Sequence, residues 1–446
     1  MDDDTVKVDA LVVGGGPAGL AAAWTLAQQG LEVVLVERGE YAGSKNLGGL
    51  LYGTVLNEMI PDFHEQAPIE RPVSKRRVSY LGDGTSAGLT FGSEAWSKPP
   101  YNYTYTVHRS AFDRWFAEQV EEAGADLLEG MVVNELIYEG EGAARKAVGV
   151  KIRGDEDEGD EEFFADVVLL CDGAHSLVTD GARQELKLAP GREPQDFAVG
   201  VKETIKLDRQ VIEDRFGLNE DEGAALDYIG KPFDQLIGGG FIYTQKEDIS
   251  IGIAAKIETV QERGLTPNEL MDNFKQHPEI KKLLRGGELL EYGAHMIPEG
   301  GFNAIGQLAG NGVLICGDAA GLVNMSLYKE GTNHAMESGR LAAETVVEAK
   351  AKGDFSAQTL SAYETKMKAG LAVQDLEKYR DLPEILASTP EVLSEYPARY
   401  TQLLIDYFTV SKQPKKEIQK QAIKAALKGL PKIKLARDLF RARKLM

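Results

Sequence analysis

The stretch that decides the fold is VVGGGPAGLAAAWTLAQQGLEVVLVER, residues 12–38. Residues 8–13 and 32–36 are short apolar runs typical of buried strands, and residues 17–29 between them have the composition of a helix. The sequence therefore predicts a βαβ unit, with a GxGxxG glycine pattern in the turn between the first strand and the helix.

Each glycine of this turn has a separate physical role. Gly14 permits the tight turn, Gly16 lets backbone approach a diphosphate, and Gly19 lets the helix pack closely on the strand. Pro17 and Ala18 open the helix, whose free N–H groups and positive dipole end attract an anion. The turn is thus predicted to bind the diphosphate of a dinucleotide.

An acidic residue ends the second strand of the unit. Glu37 stands eighteen residues after Gly19, where a carboxylate accepts hydrogen bonds from ribose hydroxyls. Arg38 follows it and is expected beside the same nucleotide. This first motif is compatible with both NAD and FAD.

A second motif, GVLICGDAAG (312–321), is an apolar strand that ends in Gly317, Asp318 and Ala319. A carboxylate in a turn otherwise made of Gly and Ala has two interpretations. Asp318 holds a ligand for which its small neighbours leave room, or it caps the helix that follows.

These motifs resemble those of the flavoprotein hydroxylase and reductase superfamily, in which the aspartate of the second motif holds the ribityl chain of FAD. The stretch ADVVLLCDGAHSLV (165–178) resembles the Asp-Gly motif of the same superfamily, with Asp172 and Gly173 in the expected places. Arg109 matches the arginine that approaches FAD, and Val133 falls where this fold lays backbone against adenine. The three motifs together favour FAD over NAD.

Further stretches narrow the resemblance to one family. They are similar to FixC, the flavoprotein of the family that includes electron-transfer-flavoprotein:quinone oxidoreductase, from residue 6 to about residue 380. The resemblance implies an FAD enzyme that takes electrons from a heterodimeric electron-transfer flavoprotein and passes them to a membrane quinone, bound beside the flavin under an inserted second sheet. The stretches are GSKNLGGLLYG (43–53), GGGFIYTQKEDISIGIAAK (238–256), YGAHMIPEGG (292–301) and SLYKEGTNHAMESGR (326–340).

The last of these stretches is expected to face the flavin ring. Gly331, Thr332 and Asn333 lie at the start of a long helix predicted over 330–351, whose N-terminal N–H groups would stabilise negative charge on the reduced ring. His334 on the same helix is interpreted as a satisfied structural residue rather than as a base.

A loop after the βαβ unit is expected beside the isoalloxazine, where it would tune the flavin potential. It contributes Lys45 and Asn46, followed by Gly48 and Gly49. An ordinary surface position remains the alternative for Lys45.

The predicted fold is α/β, a Rossmann-like FAD-binding domain interleaved with a smaller mixed β-sheet domain and followed by a helical C-terminal region. Residues 198–206, 239–244 and 249–255 alternate like strands of the second sheet. The expected domains are 1–75 with 105–190 and 295–350 for FAD, 76–104 with 191–294 for the quinone or substrate, and 351–446 for the helical region.

The composition limits the partners of the chain. It has 446 residues and a net charge of −20, and this acidic balance argues against nucleic acid.

Its two cysteines, Cys171 and Cys316, each end an apolar strand and are interpreted as buried core thiols. Two thiols are too few for a [4Fe–4S] cluster. The resemblance therefore implies a separate small ferredoxin-like iron–sulfur partner, and no metal site is predicted in this chain.

The C-terminal segment 411–446 is basic, with twelve Lys and Arg against Glu417 and Asp438. Apolar residues recur at helical spacing on both sides of Pro431, which predicts two amphipathic helices. An anionic membrane, an acidic partner and the protein's own body are all open as the contact of this tail. Without a spanning apolar run or a secretory signal, the expected location is cytoplasmic, peripheral on the inner face of the cell membrane.

Two other functions are compatible with the same motifs. A geranylgeranyl-reductase-like enzyme would use the bound FAD to reduce prenyl double bonds, and a cofactor-free module of this fold would bind prenylated partners. No carboxylate pair and no Ser/His/Asp set indicates acid–base or covalent chemistry, so the predicted role of the protein is to position and tune the flavin.

Overall fold

The computed structural model describes residues 7–154, 160–234 and 236–443, so residues 444–446 of the tail lie outside the described residues. The chain forms two compact units, each assembled from separate segments. The predicted boundaries of the folding domains stay a prediction, since compact packing does not show which segments fold independently. The first unit comprises Met1–Glu70, Tyr103–Phe197 and Met296–Arg380, and the second comprises Arg71–Asn102, Ala198–His295 and Asp381–Met446.

The strands of the described residues are β1 (Lys7–Val13), β2 (Val33–Glu37), β3 (Gly49–Tyr52), β4 (Ile69–Leu81), β5 (Ser86–Gly92), β6 (Thr104–Val107), β7 (Asp126–Glu129), β8 (Val133–Glu139), β9 (Lys146–Ile152), β10 (Glu161–Leu170), β11 (Phe197–Lys206), β12 (Gly223–Gly230), β13 (Gly238–Thr244), β14 (Asp248–Lys256), β15 (Glu288–Pro298), β16 (Ala309–Gly310) and β17 (Val313–Ile315).

The α-helices of the described residues are α1 (Pro17–Gln28), α2 (Thr54–Met59), α3 (Arg109–Glu122), α4 (Leu177–Glu185), α5 (Arg209–Phe216), α6 (Ile257–Glu262), α7 (Pro267–Gln276), α8 (Pro278–Leu284), α9 (Thr332–Lys352), α10 (Ala357–Leu360), α11 (Ala362–Ala369), α12 (Leu371–Lys378), α13 (Leu382–Ser388), α14 (Glu395–Phe408), α15 (Lys415–Leu427) and α16 (Lys432–Ala442). Among them, none is both long enough and apolar enough to cross a bilayer.

The first unit is built on a mainly parallel sheet with the strand order β16-β17-β10-β1-β2-β7. Val13 of β1 lies beside Val36 of β2 and Leu170 of β10, and Leu170 lies beside Ile315 of β17. Four parallel strands therefore end side by side, and we call this end the carboxyl edge of the first sheet. The βαβ unit predicted from residues 12–38 is confirmed as β1, α1 and β2.

Helix α9 packs along α1 at backbone distance. A Cβ added at Gly339 would lie 2.0 Å from the backbone oxygen of Ala18, so a glycine at this position is what allows the close approach. The helix predicted over 330–351 begins at Thr332 and ends at Lys352. The first turn of α9 and the carboxyl edge of the first sheet both belong to the first unit.

The second unit contains a sheet with the order β15-β11-β14-β13-β12-β4 and with β5 beside β4. The pair β12–β4 is parallel, whereas β11–β14, β13–β14 and β12–β13 are antiparallel, so the predicted mixed sheet is confirmed. Its predicted strands 198–206, 239–244 and 249–255 correspond to β11, β13 and β14.

The C-terminal tail packs in part on its own chain. Ile418 and Ala422 of α15 are buried. Arg399 of α14 donates hydrogen bonds to the backbone oxygens of Ala426 and Lys428, at 3.0 and 2.9 Å, and so holds the end of α15.

Other apolar side chains of the tail stay exposed to solvent. They are Ile423 and Leu427 on α15, and Ile433, Leu439 and Phe440 on α16. The neighbouring α14 and its C-terminal connection add Tyr400, Ile405, Tyr407, Phe408 and Val410. Self-packing therefore accounts for only part of the apolar surface of this segment.

Candidate functional site

The glycine turn after β1 is closed by backbone on two sides and open on the third. Gly14 has a φ of +107°, and a Cβ there would lie 2.3 Å from the backbone oxygen of Cys171. A Cβ at Gly19 would lie 1.9 Å from the oxygen of Gly14. A Cβ at Gly16, in contrast, would meet no described atom within 4 Å. The open side faces the N-terminus of α1, where Pro17 and Ala18 follow, and leaves room for an anion.

Glu37 is held beside this turn by backbone donors. Its Oε2 accepts a hydrogen bond from Gly15 N at 2.7 Å, and its Oε1 accepts one from Gly39 N at 2.6 Å. Each oxygen keeps a further lone pair, so the carboxylate is oriented without being saturated. Arg38 is exposed.

Asp318 lies in a short 3-10 helix, Gly317–Ala320, at the end of β17. The side chain of Asp318 makes no capping hydrogen bond to that helix. The interpretation of Asp318 as only a helix cap is therefore wrong. Within the described residues no protein hydrogen bond ends on its carboxylate oxygens. Burial raises the pKa of the Asp318 carboxyl above its ordinary value, although the charges of Arg192 and Arg109 oppose the rise. The side chain is partly exposed, so its carboxylate oxygens can accept hydrogen bonds from a ligand or from solvent.

Arg109 is the first residue of α3 and is anchored within its own helix. Its Nε and Nη2 donate to the two oxygens of Asp113, at 2.8 and 2.7 Å. Burial lowers the pKa of the Arg109 guanidinium, but the charges of Asp113 and Asp318 outweigh burial and leave the pKa above its ordinary value. The guanidinium therefore stays charged near Asp318.

Asp172 serves the first turn of α4. Its carboxylate accepts hydrogen bonds from Val178 N and Thr179 N, both at 3.1 Å, and from the Thr179 hydroxyl at 2.5 Å. Gly173 has a φ of +74° and open space where a Cβ would stand. The side chain of Asp172 thus holds the first turn of α4 in place. The open space beside it lies at the next residue, Gly173.

The start of α9 carries an orphaned hydroxyl. Gly331 is the N-cap of this helix, and Thr332 Oγ1 is buried without a hydrogen-bond partner in the described part of the chain. Asn333 is fully used instead: its Oδ1 accepts from Val55 N at 3.0 Å, and its Nδ2 donates to Thr54 Oγ1 and Glu330 Oε1, both at 2.9 Å. Asn333 therefore ties α2 to α9.

Two further predicted contacts, the loop of Lys45 and Asn46 and the strand residue Val133, lie near these elements. The loop of Lys45 and Asn46 packs on α3, because a Cβ at Gly43 would lie 2.8 Å from the backbone oxygen of Arg109. Lys45 is exposed, Asn46 is partly buried, and Gly48 and Gly49 after them are buried. Val133 begins β8, two residues after Met131, whose N–H donates to the backbone oxygen of Glu37 at 3.0 Å.

The structure adds two residues that the sequence did not indicate. Arg192 donates to the backbone oxygen of Asp318 and to the Ser176 hydroxyl, and Ser338 Oγ accepts from Gly317 N at 2.8 Å. Arg192 stands in an irregular loop outside every quoted motif. Ser338 lies within the stretch 326–340, but nothing in that stretch indicated a role for this serine. Both hold the turn that contains Asp318.

The interpretation of His334 as a satisfied residue is wrong. The side chain is fully buried, and neither ring nitrogen has a hydrogen-bond partner in the described residues. The two cysteines, in contrast, are free and buried, as predicted.

Three family models match the chain. One described as "FAD binding domain" covers residues 7–204, one described as "ETF-QO, ubiquinone-binding" covers 197–297, and one described as "ETF-QO/FixC family C-terminal domain" covers 382–446. The last extends the family beyond residue 380, where the resemblance in the sequence had ended.

Curated relatives match over nearly the whole chain. "Protein FixC" of Azorhizobium caulinodans is 40% identical and covers 98% of this chain and 98% of its own length. The "Probable electron transfer flavoprotein-quinone oxidoreductase YdiS" of Escherichia coli K12 is 38% identical over 96% of both chains.

Solved structures share the fold. A geranylgeranyl bacteriochlorophyll reductase-like protein of Thermoplasma acidophilum has a TM-score of 0.71 and 22% identity, covering 99% of this chain and 100% of its own. The myxobacterial chondrochloren halogenase, an FAD-dependent halogenase, has a TM-score of 0.63 and 19% identity, covering 94% of this chain and 97% of its own. At these identities the likeness concerns the fold alone.

The open glycine turn, the partly exposed carboxylate of Asp318 and the orphaned hydroxyl of Thr332 fit an extended dinucleotide that carries both phosphate and hydroxyl groups. The matched family domain identifies that dinucleotide as FAD. The chain therefore belongs to the FixC and electron-transfer-flavoprotein:quinone oxidoreductase family and is an FAD-dependent oxidoreductase with a ubiquinone-binding domain.

Proposed function

We propose that this protein receives electrons from an electron-transfer flavoprotein heterodimer and passes them through FAD to a membrane quinone, as the FixC-like subunit of a larger complex. The observation that carries the proposal is the similarity to FixC and YdiS over at least 96% of the chain, joined to the ubiquinone-binding match over 197–297. When bound, FAD supplies the electron-transfer chemistry, so the protein's own residues bind, orient and tune it.

The proposed FAD site is the carboxyl edge of the first sheet together with the first turn of α9. The open side of the glycine turn would receive the diphosphate at the N-terminus of α1. We assign Gly14, Gly16, Pro17, Ala18 and Gly19 to the diphosphate; Glu37, Arg38 and Val133 to the adenosine; Arg109, Asp172, Gly173, Gly317, Asp318 and Ala319 to the diphosphate and ribityl chain; and Lys45, Asn46, Gly48, Gly49, Gly331, Thr332 and Asn333 to the ring.

Two polar groups give this assignment its chemistry. The carboxylate of Asp318 would accept hydrogen bonds from ribityl hydroxyls, which are stronger for an ionised acceptor than for a neutral one. Thr332 Oγ1 would gain a partner at the ring end, and the N–H groups at the start of α9 would stabilise negative charge there.

We assign the iron–sulfur centre of the complex to a separate small ferredoxin-like protein. The whole chain has two cysteines, and both are buried and free. A [4Fe–4S] cluster in this family therefore needs ligands from another chain.

The tail is proposed to contact the inner face of the cell membrane. Helix α15 has exposed lysines and α16 has exposed arginines, beside the exposed Leu427, Leu439 and Phe440, and an amphipathic basic surface of this kind binds anionic lipid. An acidic partner protein is the other occupant that the same charge pattern favours.

The test is electron transfer by the purified, flavin-loaded protein. Reduced electron-transfer flavoprotein should bleach the flavin absorbance, and a ubiquinone analogue should restore it. A flavin that reoxidises with quinone but not with a prenyl double bond supports the proposal. Saturation of a geranylgeranyl chain without any quinone reaction would establish the prenyl-reductase alternative.

The cofactor-free alternative has a simpler test. A colourless protein that releases no flavin on heating, and that binds a prenylated peptide, would contradict the proposal. The family match to an FAD binding domain favours a yellow protein.

A further inference from the structure

Three chemistry-bearing side chains converge in the first unit. His334 of α9 is fully buried, and its Nε2 lies 3.7 Å from Glu330 Oε2 and 3.6 Å from Asp375 Oδ2 of α12. All three atoms lie within 4.8 Å of one another. The group is distinct from every residue assigned above to FAD.

The buried imidazole points to a missing ligand. Neither ring nitrogen of His334 has a hydrogen-bond partner in the described residues, and Nε2 is the one that faces two carboxylates. Buried polar nitrogens are nearly always paired, so an unpaired one aimed between two acids needs an explanation. A cation seated between the three atoms would satisfy the nitrogen and both acids.

One of the two ligand carboxylates, that of Glu330, is held in place by a hydrogen bond from a neighbouring side chain. Asn333 Nδ2 donates to Glu330 Oε1 at 2.9 Å, which leaves Oε2 turned toward His334. The backbone of Glu330 forms a bridge with Asn324. Such support of a ligating carboxylate is typical of metal sites.

Asp375 is brought to the site by the docking of its helix. Glu337 of α9 accepts hydrogen bonds from Leu371 N and Ala372 N, at 2.9 and 2.7 Å, and so fixes the start of α12. The Asp375 side chain is 42% exposed, which gives an ion a path from solvent.

The spacing and the charge both suit a divalent ion. Ligand atoms about 2.1 Å from a tetrahedral zinc ion lie about 3.4 Å apart, close to the separations at His334. Glu330, Glu337 and Asp375 form an acidic cluster around a single imidazole.

We propose that Glu330, His334 and Asp375 bind one divalent first-row transition-metal ion, such as zinc, which staples the first turn of α9 to α12. One imidazole and two carboxylates suit zinc or manganese better than magnesium, and solvent would complete the coordination beside Asp375.

The experiment uses the untagged full-length protein, stripped with a chelator and titrated by calorimetry with Zn²⁺, Mn²⁺ and Mg²⁺. One equivalent of Zn²⁺ should bind, more tightly than Mn²⁺ and far more tightly than Mg²⁺. Asp375→Asn should weaken zinc binding at least about tenfold, because even loss of a supporting contact costs that much. Glu377→Gln, an exposed acid on the same helix, is the control and should bind like the wild type.

His334→Gln should abolish the one-equivalent site, and if this variant does not fold, Asp375→Asn still decides the matter. Absence of zinc binding would overturn the proposal and leave a protonated His334 between two acids as the explanation. Equal binding of Zn²⁺ and Mg²⁺, or equal effects of Asp375→Asn and Glu377→Gln, would overturn it too. Because metal binding is measured without quinone or electron donor, the result is independent of the proposed electron transfer.

Discussion

Gly16 and Gly19 differ in the surroundings that a Cβ atom would meet at each position. Gly19 faces the backbone of Gly14, whereas Gly16 faces open space. Gly19 is therefore required by the fold, and Gly16 is free to serve a ligand. Because of this difference, a substitution at Gly16 tests ligand binding more directly than one at Gly19.

Gly16→Ala should leave the flavin-free protein folded, with a free energy of unfolding within about 1 kcal/mol of wild type, since its Cβ meets no protein atom. FAD affinity should fall at least about tenfold, because the methyl group occupies the space that the diphosphate needs. Flavin fluorescence titration measures the affinity, and urea unfolding measures the stability.

Gly181→Ala is the matched control for this change. Gly181 is exposed on α4, and a Cβ there also meets nothing within 4 Å. This variant should gain up to about 1 kcal/mol in stability and keep full FAD affinity. If Gly16→Ala retained wild-type affinity, the diphosphate would have to bind elsewhere.

Asp318 lowers the stability of the flavin-free protein, and it is proposed to bind the ribityl chain in the flavin-loaded protein. Its raised pKa means that the folded state holds the proton more tightly than the unfolded state. The ionised carboxylate therefore costs stability at high pH, and the cost disappears as the pH falls through the raised pKa.

Asp318→Asn should accordingly raise the Tm of the flavin-free protein at pH 8, and the gain should shrink as the pH falls through the raised pKa. The same variant should lose most of its FAD, as should Asp318→Ala. Glu118→Gln, an exposed acid on α3, should change neither the Tm nor the FAD content. A gain in Tm that grew as the pH fell would contradict the assigned direction of the pKa.

At the scale of elements, the contact between α1 and α9 depends on a single missing side chain. Gly339→Ala would place a Cβ 2.0 Å from the oxygen of Ala18, and backbone cannot move aside as a flexible side chain can. The variant should lose about 3 kcal/mol of stability by urea unfolding.

Lys352→Ala at the exposed end of the same helix is the control and should stay within about 0.5 kcal/mol of wild type. A Gly339→Ala protein as stable as this control would show that α9 can shift along α1. In that case the first turn of α9 would not be rigidly placed.

Periodicity and motif together predicted the elements well where one face is buried or a glycine is obligatory. The βαβ unit, the three antiparallel strands of the second sheet and the two tail helices were predictable because each follows a local rule. The start of α9 was placed two residues early, since Gly331 is its N-cap and not part of the helix.

The site was predictable only in part. Gly16 and Asp318 carry motifs, so the sequence alone indicated them. Arg192 and Asp375 do not, because their roles come from long-range packing that brings distant segments together. His334 was misread, since a sequence does not show whether a buried imidazole finds a partner.

At the scale of the whole molecule, charge is divided between an acidic chain and a basic tail. The exposed lysines of α15 should contribute about 1 kcal/mol each to binding of an anionic surface. The double variant Lys420→Gln and Lys424→Gln should therefore bind phosphatidylserine vesicles roughly thirtyfold more weakly in a sedimentation assay at low salt.

The matched control is Lys352→Gln with Lys368→Gln, two exposed lysines of the first unit. It should bind vesicles like the wild type. Deleting residues 411–446 should likewise move the protein from membrane fractions to the supernatant. Unchanged vesicle binding in the tail variant would assign the basic helices to a protein partner instead.

The pairing of β10 with β17 also governs when the molecule can be completed during synthesis. Leu170 finds its neighbour Ile315 only after the ribosome has added a further stretch of chain that includes most of the second sheet. Until then one flank of the central strand is bare, and the turn of Asp318 does not exist. The proposed FAD site is therefore completed only late in synthesis, after residue 318 has been added.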